Sequence, residues 1–414
     1  MNRFLDPEFR PLLRGLEALP LSQDGSGGRK FVLRDISRLS EAFLTVSDVA
    51  LHAISLVNGN RNAGEICTAF KQTTRLDIDE ATVAHLFEQL DSAHFIDGPS
   101  FESYYRDLHD DYVGRGVRDM ADAEELGVDA SGRIFADMLS AADDFEGIDP
   151  SQIRGVIAPH LDYPRGAPCY GRTYNLLRRR RTPDRVVILG FNHFGRSTSV
   201  VATGSSFSTP LGITAVDTEF LDSLEAQCGP LRQFELDHVH EHSVALQVVW
   251  LQYIYGADSC RIVPLLCPDP CGPSGTRPYD GCGVDLREFA QALGSLCTAD
   301  EQDTLLVAGA DLSHVGRAFG DDRDIDDTFL SLVEERDNAA LQALVTGGPD
   351  AFVSEVTRDG NSTRICSTGC IFALATALSA GSADGKGSPT LGGYHQASSP
   401  EIDTCVTCSS LVYC

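Results

Sequence analysis

Positive charge is scarce in this sequence. Its 414 residues include 33 lysine and arginine residues against 60 aspartate and glutamate residues, which gives a formal net charge of −27. This excess of negative charge repels nucleic acid and anionic membrane surfaces at long range, so neither is expected as the main partner. The only dense basic run, residues 178–181, follows a predicted helix and precedes Pro183. Because cations are favoured at helix C-termini, we prefer a solvated helix end to a binding patch.

Long apolar runs are also lacking. No stretch approaches the roughly 18 continuous apolar residues of a membrane span, and the first residues contain no signal-peptide core. We therefore expect a cytoplasmic protein. The 13 cysteines are an odd number scattered through a long chain. In a reducing compartment this pattern favours free thiols and metal ligands over a disulfide framework.

Three apolar runs, at residues 156–158, 186–189 and 305–308, each end shortly before a histidine: His160, His193 and His314. Short β-branched runs without alternation are typical of strands buried on both faces, and the helical patterns between them make such strands parallel. We predict an α/β fold, a three-layer sandwich with a mainly parallel central sheet. Ligand sites in these sheets lie beyond the carboxyl ends of the strands, so the three histidines are expected to converge on one crevice.

The sequence divides into three predicted regions. Residues 1–100 carry three short helical patterns, the second capped by Asn62, and then a strand, an order that resembles the small winged-helix domains of the PqqD-like peptide-recognition family. The third helix is acidic rather than basic, which argues against DNA reading. Residues 101–150 are predicted to be an acidic linker with surface helices, with acidic pairs at 110–111, 124–125 and 143–144. Residues 151–414 form the main domain.

His160 and His193 are the first candidates for metal ligands because each follows a predicted buried strand directly. Two imidazoles and one anionic group can hold Fe(II), Zn(II) or copper and leave positions open for a substrate. Asp311 and His314 form a third set of candidates. Taken singly, each histidine fits a structural role as well as a metal site. Their shared position at strand ends favours a common site.

Residues 237–243 contain three further histidines. If this segment is extended, His238, His240 and His242 face the same way and make a metal site of their own. If Ser243 instead caps the next helix, only His242 reaches the crevice. We prefer the second interpretation, because the apolar helical period begins just after Ser243.

Cys366 precedes the apolar helical run at 372–378. A cysteine at a helix N-terminus has a lowered pKa, which makes it a good thiolate ligand or nucleophile. An alternative is a tetrathiolate zinc site that adds Cys370, Cys405, Cys408 and Cys414, although only the spacing of 405 and 408 is typical of such sites. The other interpretation of the C-terminal cysteines is that they are buried, inert thiols.

Several motifs occur in one order along the main domain: Ile157-Ala158-Pro159-His160-x-x-Tyr163, Ile188-Leu189-Gly190-x-x-His193, Thr209-Pro210-Leu211 followed by Asp217, Glu241-His242-Ser243, Asp311-x-Ser313-His314-x-Gly316, Cys366 ahead of Ile371, and Tyr394-His395-Gln396-Ala397-Ser398-Ser399. This order resembles the Memo family, whose bacterial members are often called AmmeMemoRadiSam system protein B. The resemblance covers about 260 residues of the main domain. Residues 1–100 lie outside it.

The resemblance implies a fold similar to the LigB-like subunit of class III extradiol dioxygenases. It implies one metal ion, iron first and copper or zinc as alternatives, near His160, His193 and Cys366. It also implies three further residues that line the same crevice, namely Asp311, His314 and His242.

Two positions depart from the family pattern, because Ser367 and Cys370 stand where the family usually has glycine and proline. The family also differs from the extradiol enzymes, whose anionic ligand is a carboxylate. A thiolate in its place makes the metal softer and more electron-rich, which argues against ring cleavage.

Two classes of function are expected. In the first, the protein is an iron-dependent oxidoreductase acting on an unknown small molecule or peptide, with His242 or His314 as general acid or base and Asp311 orienting a histidine. In the second, it is a non-catalytic, metal-handling or peptide-recruiting adaptor, whose N-terminal domain brings in a radical-SAM protein partner. A third interpretation keeps the crevice as a ligand site without a metal.

Overall fold

The computed structural model describes residues 2–21, 29–120, 126–129, 131–143, 145–380 and 389–414. The chain divides into two compact units, Met1–Asp111 and Tyr112–Cys414. The region predicted to be an acidic linker contains two helices, Pro99–Arg115 and Arg133–Ala141, and the second of them buries Phe135, Met138 and Leu139. The acidic pair at 110–111 is exposed on the first of these helices, whereas Glu124, Glu125 and Asp144 lie outside the described residues.

The first unit contains a small antiparallel sheet, a two-stranded pair and three helices followed by the helix that crosses into the second unit. In chain order the elements are β1 Leu12–Leu13, β2 Leu16–Pro20, β3 Lys30–Asp35, β4 Leu44–Ser47, α1 Asp48–Ser55, α2 Ala63–Thr74, α3 Glu80–Ser92, β5 Ile96–Asp97 and α4 Pro99–Arg115. Strands β2, β3 and β4 pair antiparallel, as do β1 and β5.

The helix starts of the first unit follow from local sequence. The side chain of Asn62 accepts the Glu65 N–H while the Glu65 carboxylate accepts the Asn62 N–H, so α2 begins with a capping box, as the sequence predicts at Asn62. Asp79 caps α3 in the same manner by accepting the Thr82 N–H. The apolar faces of these helices bury Ile66 and Phe87 in a core of their own. The finer resemblance to a winged helix stays a prediction.

The second unit is built around one large sheet. Its elements in chain order are β6 Val117–Asp119, α5 Arg133–Ala141, β7 Gly155–Ala158, α6 Tyr163–Leu177, β8 Arg185–Phe191, β9 Val201–Ala202, β10 Ser206–Thr209, β11 Gly212–Thr214, α7 Thr218–Cys228, α8 His242–Tyr255, β12 Arg261–Cys267, α9 Leu286–Ala299, β13 Thr304–Gly309, β14 Asp311–Gly316, α10 Asp327–Thr357 with a bend at Gly348, α11 Thr368–Ala380, β15 Thr390–Ser399 and β16 Thr404–Tyr413.

The large sheet is mixed, which corrects the expectation of a mainly parallel one. Its strand order is β14-β16-β7-β13-β8-β12-β9, with β15 paired to β16. The predicted strands β7, β13, β8 and β12 are parallel, but among the described residues the other pairings of this sheet are antiparallel. The physical reason is the end of the chain: β15 and β16 form a hairpin, which forces antiparallel pairing, and β16 then lies between β7 and β14.

Helices cover this sheet. Helices α6 and α8 pack against its strands, as does α11, and α9 and α10 pack against α11. The parallel strands are buried along almost their whole length because both faces are covered. In the described part of the chain, no helix is both long enough and apolar enough to cross a membrane.

The parallel strands determine where the candidate residues come together. His160 lies two residues beyond β7, His193 two residues beyond β8, and Asp311 two residues beyond β13. Because these three strands are neighbours and run in one direction, their carboxyl ends meet at the same edge of the sheet.

Candidate metal centre

His160 is buried, and its environment determines which ring nitrogen is available. Its backbone N–H donates to Asp311 Oδ1 at 2.9 Å, and its Nδ1 lies 2.9 Å from the Gly309 carbonyl oxygen. A carbonyl only accepts, so Nδ1 carries the proton and Nε2 is the free ligand atom. That Nε2 lies 3.6 Å from Cys366 Sγ and 3.6 Å from Asp311 Oδ2.

His193 is oriented by Glu241. The ring Nδ1 lies 3.1 Å from both carboxylate oxygens of Glu241, and the His193 backbone N–H donates to Glu241 Oε2 at 2.9 Å. A carboxylate in this position holds the proton on Nδ1 and leaves Nε2 for a ligand role. The ring contacts that of His160 edge to face, with centroids 5.0 Å apart.

The turn that carries His193 is held by the start of α8. Ser243 Oγ accepts the Phe191 N–H at 3.0 Å, which joins the end of β8 to the helix. A side chain at Gly190 would place its Cβ 2.4 Å from Ser243 Oγ, so this close approach of strand and helix requires glycine. The glycine of the Ile188-Leu189-Gly190 motif therefore has a packing role.

Glu241 is the site residue that sequence reasoning missed. Burial opposes its ionisation, but His193, His242 and the Ser243 N–H together hold the pKa of the Glu241 carboxyl well below its usual range. Glu241 is also the N-cap of α8, which corrects the prediction that Ser243 is the cap. The signal was present in the sequence, because an acidic residue just before an apolar helical period is a common cap.

Cys366 is the candidate for the anionic ligand. Its Sγ lies 3.2 Å from Ser367 Oγ, two residues before α11 begins. Burial raises the pKa of this thiol, but the imidazoles of His160, His314 and His193 outweigh burial and lower the pKa to about 5. The thiolate form is therefore favoured at neutral pH, as expected for a metal ligand or nucleophile.

The turn after Cys366 packs closely against the end of β12. A Cβ at Gly369 would lie 1.9 Å from the carbonyl oxygen of Pro268, so only glycine fits there. Ser367, one of the two departures from the family pattern, has a bonding role in this turn: its Oγ accepts the Asp311 N–H at 3.0 Å. This hydrogen bond ties Cys366 to the strand that carries Asp311.

The ligand atoms of His160, His193 and Cys366 lie within 4.8 Å of one another. Donor atoms bound to one metal at about 2.0–2.3 Å are separated by less than this distance. The donor set is chemically suitable, since two imidazole nitrogens and a thiolate bind iron, copper and zinc. The residues present therefore fit a mononuclear metal. His193, Glu241 and His242 form a second group that meets the same distance criterion.

The second group is better explained as support for the first. The oxygens of Glu241 already accept the Ser243 N–H and both N–H groups of His193, so they have little capacity left for a metal. His242 begins α8, and its ring stacks on that of His193 with the centroids 4.8 Å apart and the ring planes inclined by 24°. Burial lowers the pKa of His242 to about 3, so this imidazole is neutral at physiological pH.

The structure places the other predicted residues as follows. Asp311 is buried against His160, and His314 lies on β14 with its Nδ1 3.0 Å from the Leu312 carbonyl oxygen. His238 is buried away from the centre, with its Nε2 3.2 Å from the Val201 carbonyl oxygen, and His240 belongs to neither candidate group. The ring of His242 contacts those of His160 and His193.

The C-terminal cysteines do not assemble a metal site. All thirteen cysteines lie in the described part of the chain and are free thiols, and no group of three or more cysteines is close enough to share an ion. Cys405 packs with apolar residues such as Val315 and Val333, while Cys408 lies beside Cys169. Burial raises the pKa of the Cys405 thiol. These features match buried, inert thiols rather than a tetrathiolate site.

The fold and the site together define an α/β protein with a partly buried group of two histidines and one cysteine at the carboxyl edge of its sheet. The family model described as Memo-like protein matches residues 136–404, which is more than half of the chain. The chain belongs to the Memo-like protein family.

Individual relatives agree with this family. A MEMO1 family protein of Methanopyrus kandleri is 33% identical over 166 residues, which cover 40% of this chain and 54% of that protein. A MEMO1 family protein of Aquifex aeolicus is 24% identical over 345 residues, 82% of this chain and 84% of the relative. The chain thus spans about half the length of the first relative and most of the second. A solved structure of an uncharacterized Escherichia coli K12 protein shares 15% identity, with a TM-score of 0.38 over 63% of this chain and 99% of that one.

Proposed function

We propose that this protein binds one metal ion through His160 Nε2, His193 Nε2 and Cys366 Sγ, and that it is an iron-dependent oxidoreductase acting on an unidentified substrate. One observation carries the proposal: the three donor atoms lie within 4.8 Å of one another. The remaining nitrogen of each imidazole is already engaged, by Gly309 and by Glu241. This arrangement is typical of oriented metal ligands.

Iron is preferred on the chemistry of the donor set. Two imidazoles and one anionic group leave open positions in a manner similar to the facial ligand sets of non-haem iron enzymes. Bound iron would supply one-electron chemistry towards O2 or an organic substrate. The likeness to the LigB-like extradiol dioxygenases belongs to this proposal, with the difference that the anion is a thiolate. Copper and zinc remain the alternatives.

The protein's own residues have separate tasks in this proposal. Asp311 and Glu241 orient the two ligand histidines through the hydrogen bonds to their backbone N–H groups. His242 and His314 flank the centre and serve as general acid or base. Protons compete with a metal for the ligand atoms. Burial alone would lower the pKa of His160, but Asp311 and Cys366 raise it to about 9, so the imidazole binds a proton at neutral pH. Metal binding would displace such protons.

Elemental analysis of protein purified without oxygen tests the metal. We expect about one equivalent of iron in the wild type and a loss of most of it in His160→Ala, His193→Ala and Cys366→Ala. The matched controls are His85→Ala and Cys282→Ser, an exposed histidine and an exposed cysteine that belong to neither candidate group, and they should keep the metal. Full metal content in the three site variants would contradict the proposal.

A second candidate function is a metal-handling or peptide-recruiting adaptor of a radical-SAM-associated system. The observation that favours it is the first unit, which is compact in itself and lies outside the Memo-like match at 136–404. In this proposal the PqqD-like first unit recruits the partner. Deletion of residues 1–100 should then abolish capture of a co-expressed radical-SAM partner while metal content is unchanged. Capture by the truncated protein would refute the recruiting role.

A further inference from the structure

Asp311 and His314, the two candidate site residues on strand β14, are three residues apart. Successive side chains of a regular strand point to opposite faces, so residues i and i+3 face opposite ways. Here, however, Asp311 and His314 pair with Cys408 and Val406 of β16, which are two positions apart and therefore point to one face. An interruption of the strand is required to bring both side chains to one side.

A β-bulge provides this interruption. Asp311 pairs with Cys408 of β16 and His314 pairs with Val406, with a register shift between them. Two residues of β14, Leu312 and Ser313, therefore stand opposite the single residue Thr407. A bulge adds one residue to one strand and redirects the side chains that follow it. The bulge thus places Asp311 and His314 on one side of β14.

The bulge is bound by a buried hydrogen-bond cluster centred on Asp337 of α10. Thr407 Oγ1 accepts the Ser313 N–H at 2.8 Å and donates to Asp337 Oδ2 at 2.5 Å. Ser313 Oγ donates to Asp337 Oδ1 at 2.6 Å, and the hydroxyl of Tyr394 on β15 donates to Oδ2 at 2.9 Å. The cluster thus joins both strands of the bulge to a helix and to the neighbouring strand.

Asp337 suits this task because a carboxylate accepts several hydrogen bonds at once. Its side chain is fully buried, and no lysine or arginine pairs with it among the residues that the structure describes. Burial of an unpaired carboxylate is costly unless hydrogen bonds offset the cost, and here three hydroxyl groups offset part of it. An aliphatic residue at 337 would leave these hydroxyls without their acceptor.

We propose that Asp337 and Thr407 are positioning residues: they hold the bulge at Leu312–Ser313 and so place Asp311 and His314 on the metal side of β14. The functional part of this inference rests on the proposed metal centre. The structural part, that these two residues hold the bulge, is independent of the metal. Neither residue touches the candidate ligands.

The test compares Thr407→Val with Thr404→Val in the full-length protein. Both threonines lie buried on β16, but the Thr404 hydroxyl has no hydrogen-bond partner in the described part of the chain, so it is a matched control. The first measurement is amide hydrogen exchange of the 311–316 segment by mass spectrometry. We expect exchange to be about tenfold faster in Thr407→Val and unchanged in Thr404→Val, since loss of one buried hydrogen bond corresponds to about that factor. Equal exchange in the two variants would refute the inference that Thr407 holds the bulge.

The second measurement reports on the metal centre. In protein loaded with Co(II), Thr407→Val should shift the thiolate-to-cobalt charge-transfer band while Thr404→Val leaves it unchanged, and Asp337→Ala should behave like Thr407→Val. Stability alone would not move this band. If the wild type takes up no cobalt but exchange in Thr407→Val is faster, the metal proposal fails, while the inference that Thr407 holds the bulge is supported. If exchange changes but the band does not, Thr407 holds the bulge without positioning the metal centre, and the inference is overturned.

Discussion

Glu241 and His193 are joined twice, because the carboxylate of Glu241 accepts both the backbone N–H and the ring Nδ1–H of His193. A third N–H, that of Ser243 at the start of α8, donates to the other oxygen. The charge of Glu241, the direction of the His193 ring and the start of the helix therefore depend on one another. This relationship makes Glu241 the most informative residue to change around the candidate metal centre.

Glu241→Gln should weaken metal affinity by about 10- to 100-fold, as is typical when the partner of a ligand histidine is removed. Both carboxylate oxygens face N–H donors, so the amide NH2 of glutamine must oppose a donor in either orientation. Chelator-competition titration measures the change. Glu235→Gln is the control, since Glu235 is also buried but bonds Thr203 and Gly204 away from the centre. Equal losses in the two variants would mean that Glu241 acts through stability alone.

Cys366→Asp should show whether the metal centre requires a third ligand of any kind or a soft, thiolate ligand in particular. A carboxylate restores the anionic ligand of the extradiol enzymes, so we expect the variant to keep about one equivalent of Fe(II). Its affinity for Cu(I) should fall by about 100-fold, because soft ions prefer thiolate. Metal titrations under argon measure both values. A variant that loses iron as completely as Cys366→Ala would show that the centre requires sulfur itself.

Gly369→Ala should disrupt the Cys366 turn. The new Cβ would lie 1.9 Å from the Pro268 carbonyl oxygen, and backbone on both sides prevents an easy adjustment. We expect a loss of about 3 kcal/mol in the free energy of unfolding, together with reduced metal content. Gly272→Ala is the matched control, since nothing lies near its Cβ. Urea unfolding monitored by circular dichroism measures both variants, and indistinguishable curves would contradict the close packing.

Asp337 should make stability depend on pH. Burial raises the pKa of the Asp337 carboxyl from 3.8 to about 6, although hydrogen bonds from Ser313, Thr407 and Tyr394 and the charge of His314 oppose the rise. The folded state therefore holds the proton more tightly. The stabilisation is fully present below about pH 4 and is lost as the pH rises through about 6, by roughly 3 kcal/mol.

Asp337→Asn removes this titration. The difference in unfolding free energy between the wild type and Asp337→Asn should therefore change by about 3 kcal/mol between pH 4 and pH 7.5 in favour of the variant at the higher pH. Urea titrations at the two pH values measure it. The same difference at both pH values would show that Asp337 does not titrate in this range.

Much of the second unit could be predicted from local patterns. The strands at β7, β8, β12 and β13 are continuous apolar runs of β-branched and aliphatic residues, which only a sheet buried on both faces accommodates. The β15–β16 hairpin could not be predicted in the same way. Its second strand is fully buried yet rich in threonine, serine and cysteine, and so it has neither an apolar run nor a clear alternation.

Only part of the candidate site could be predicted from the sequence. His160 and His193 follow strands directly, and their convergence is a consequence of parallel neighbours. The prediction of Ser243 as the helix cap is wrong because a hydroxyl and a carboxylate serve that position equally well, and the sequence alone does not show which one accepts a helix N–H. His238 has the same local context as His242, but it is turned away towards Val201.

The sequence by itself determined the kinds of residue at the centre and the strands that deliver them, because both depend on short-range patterns of hydrophobicity and on residue chemistry. Only the tertiary structure decided which groups meet. Cys366 lies 206 positions from His160, and Asp337 reaches the bulge beside His314 from a separate helix. Such contacts depend on how helices and strands pack together. No local sequence pattern predicts that Glu241 accepts a hydrogen bond from His193 Nδ1, or that Thr407 binds Ser313 in the bulge. Each contact joins two segments that are distant in the sequence.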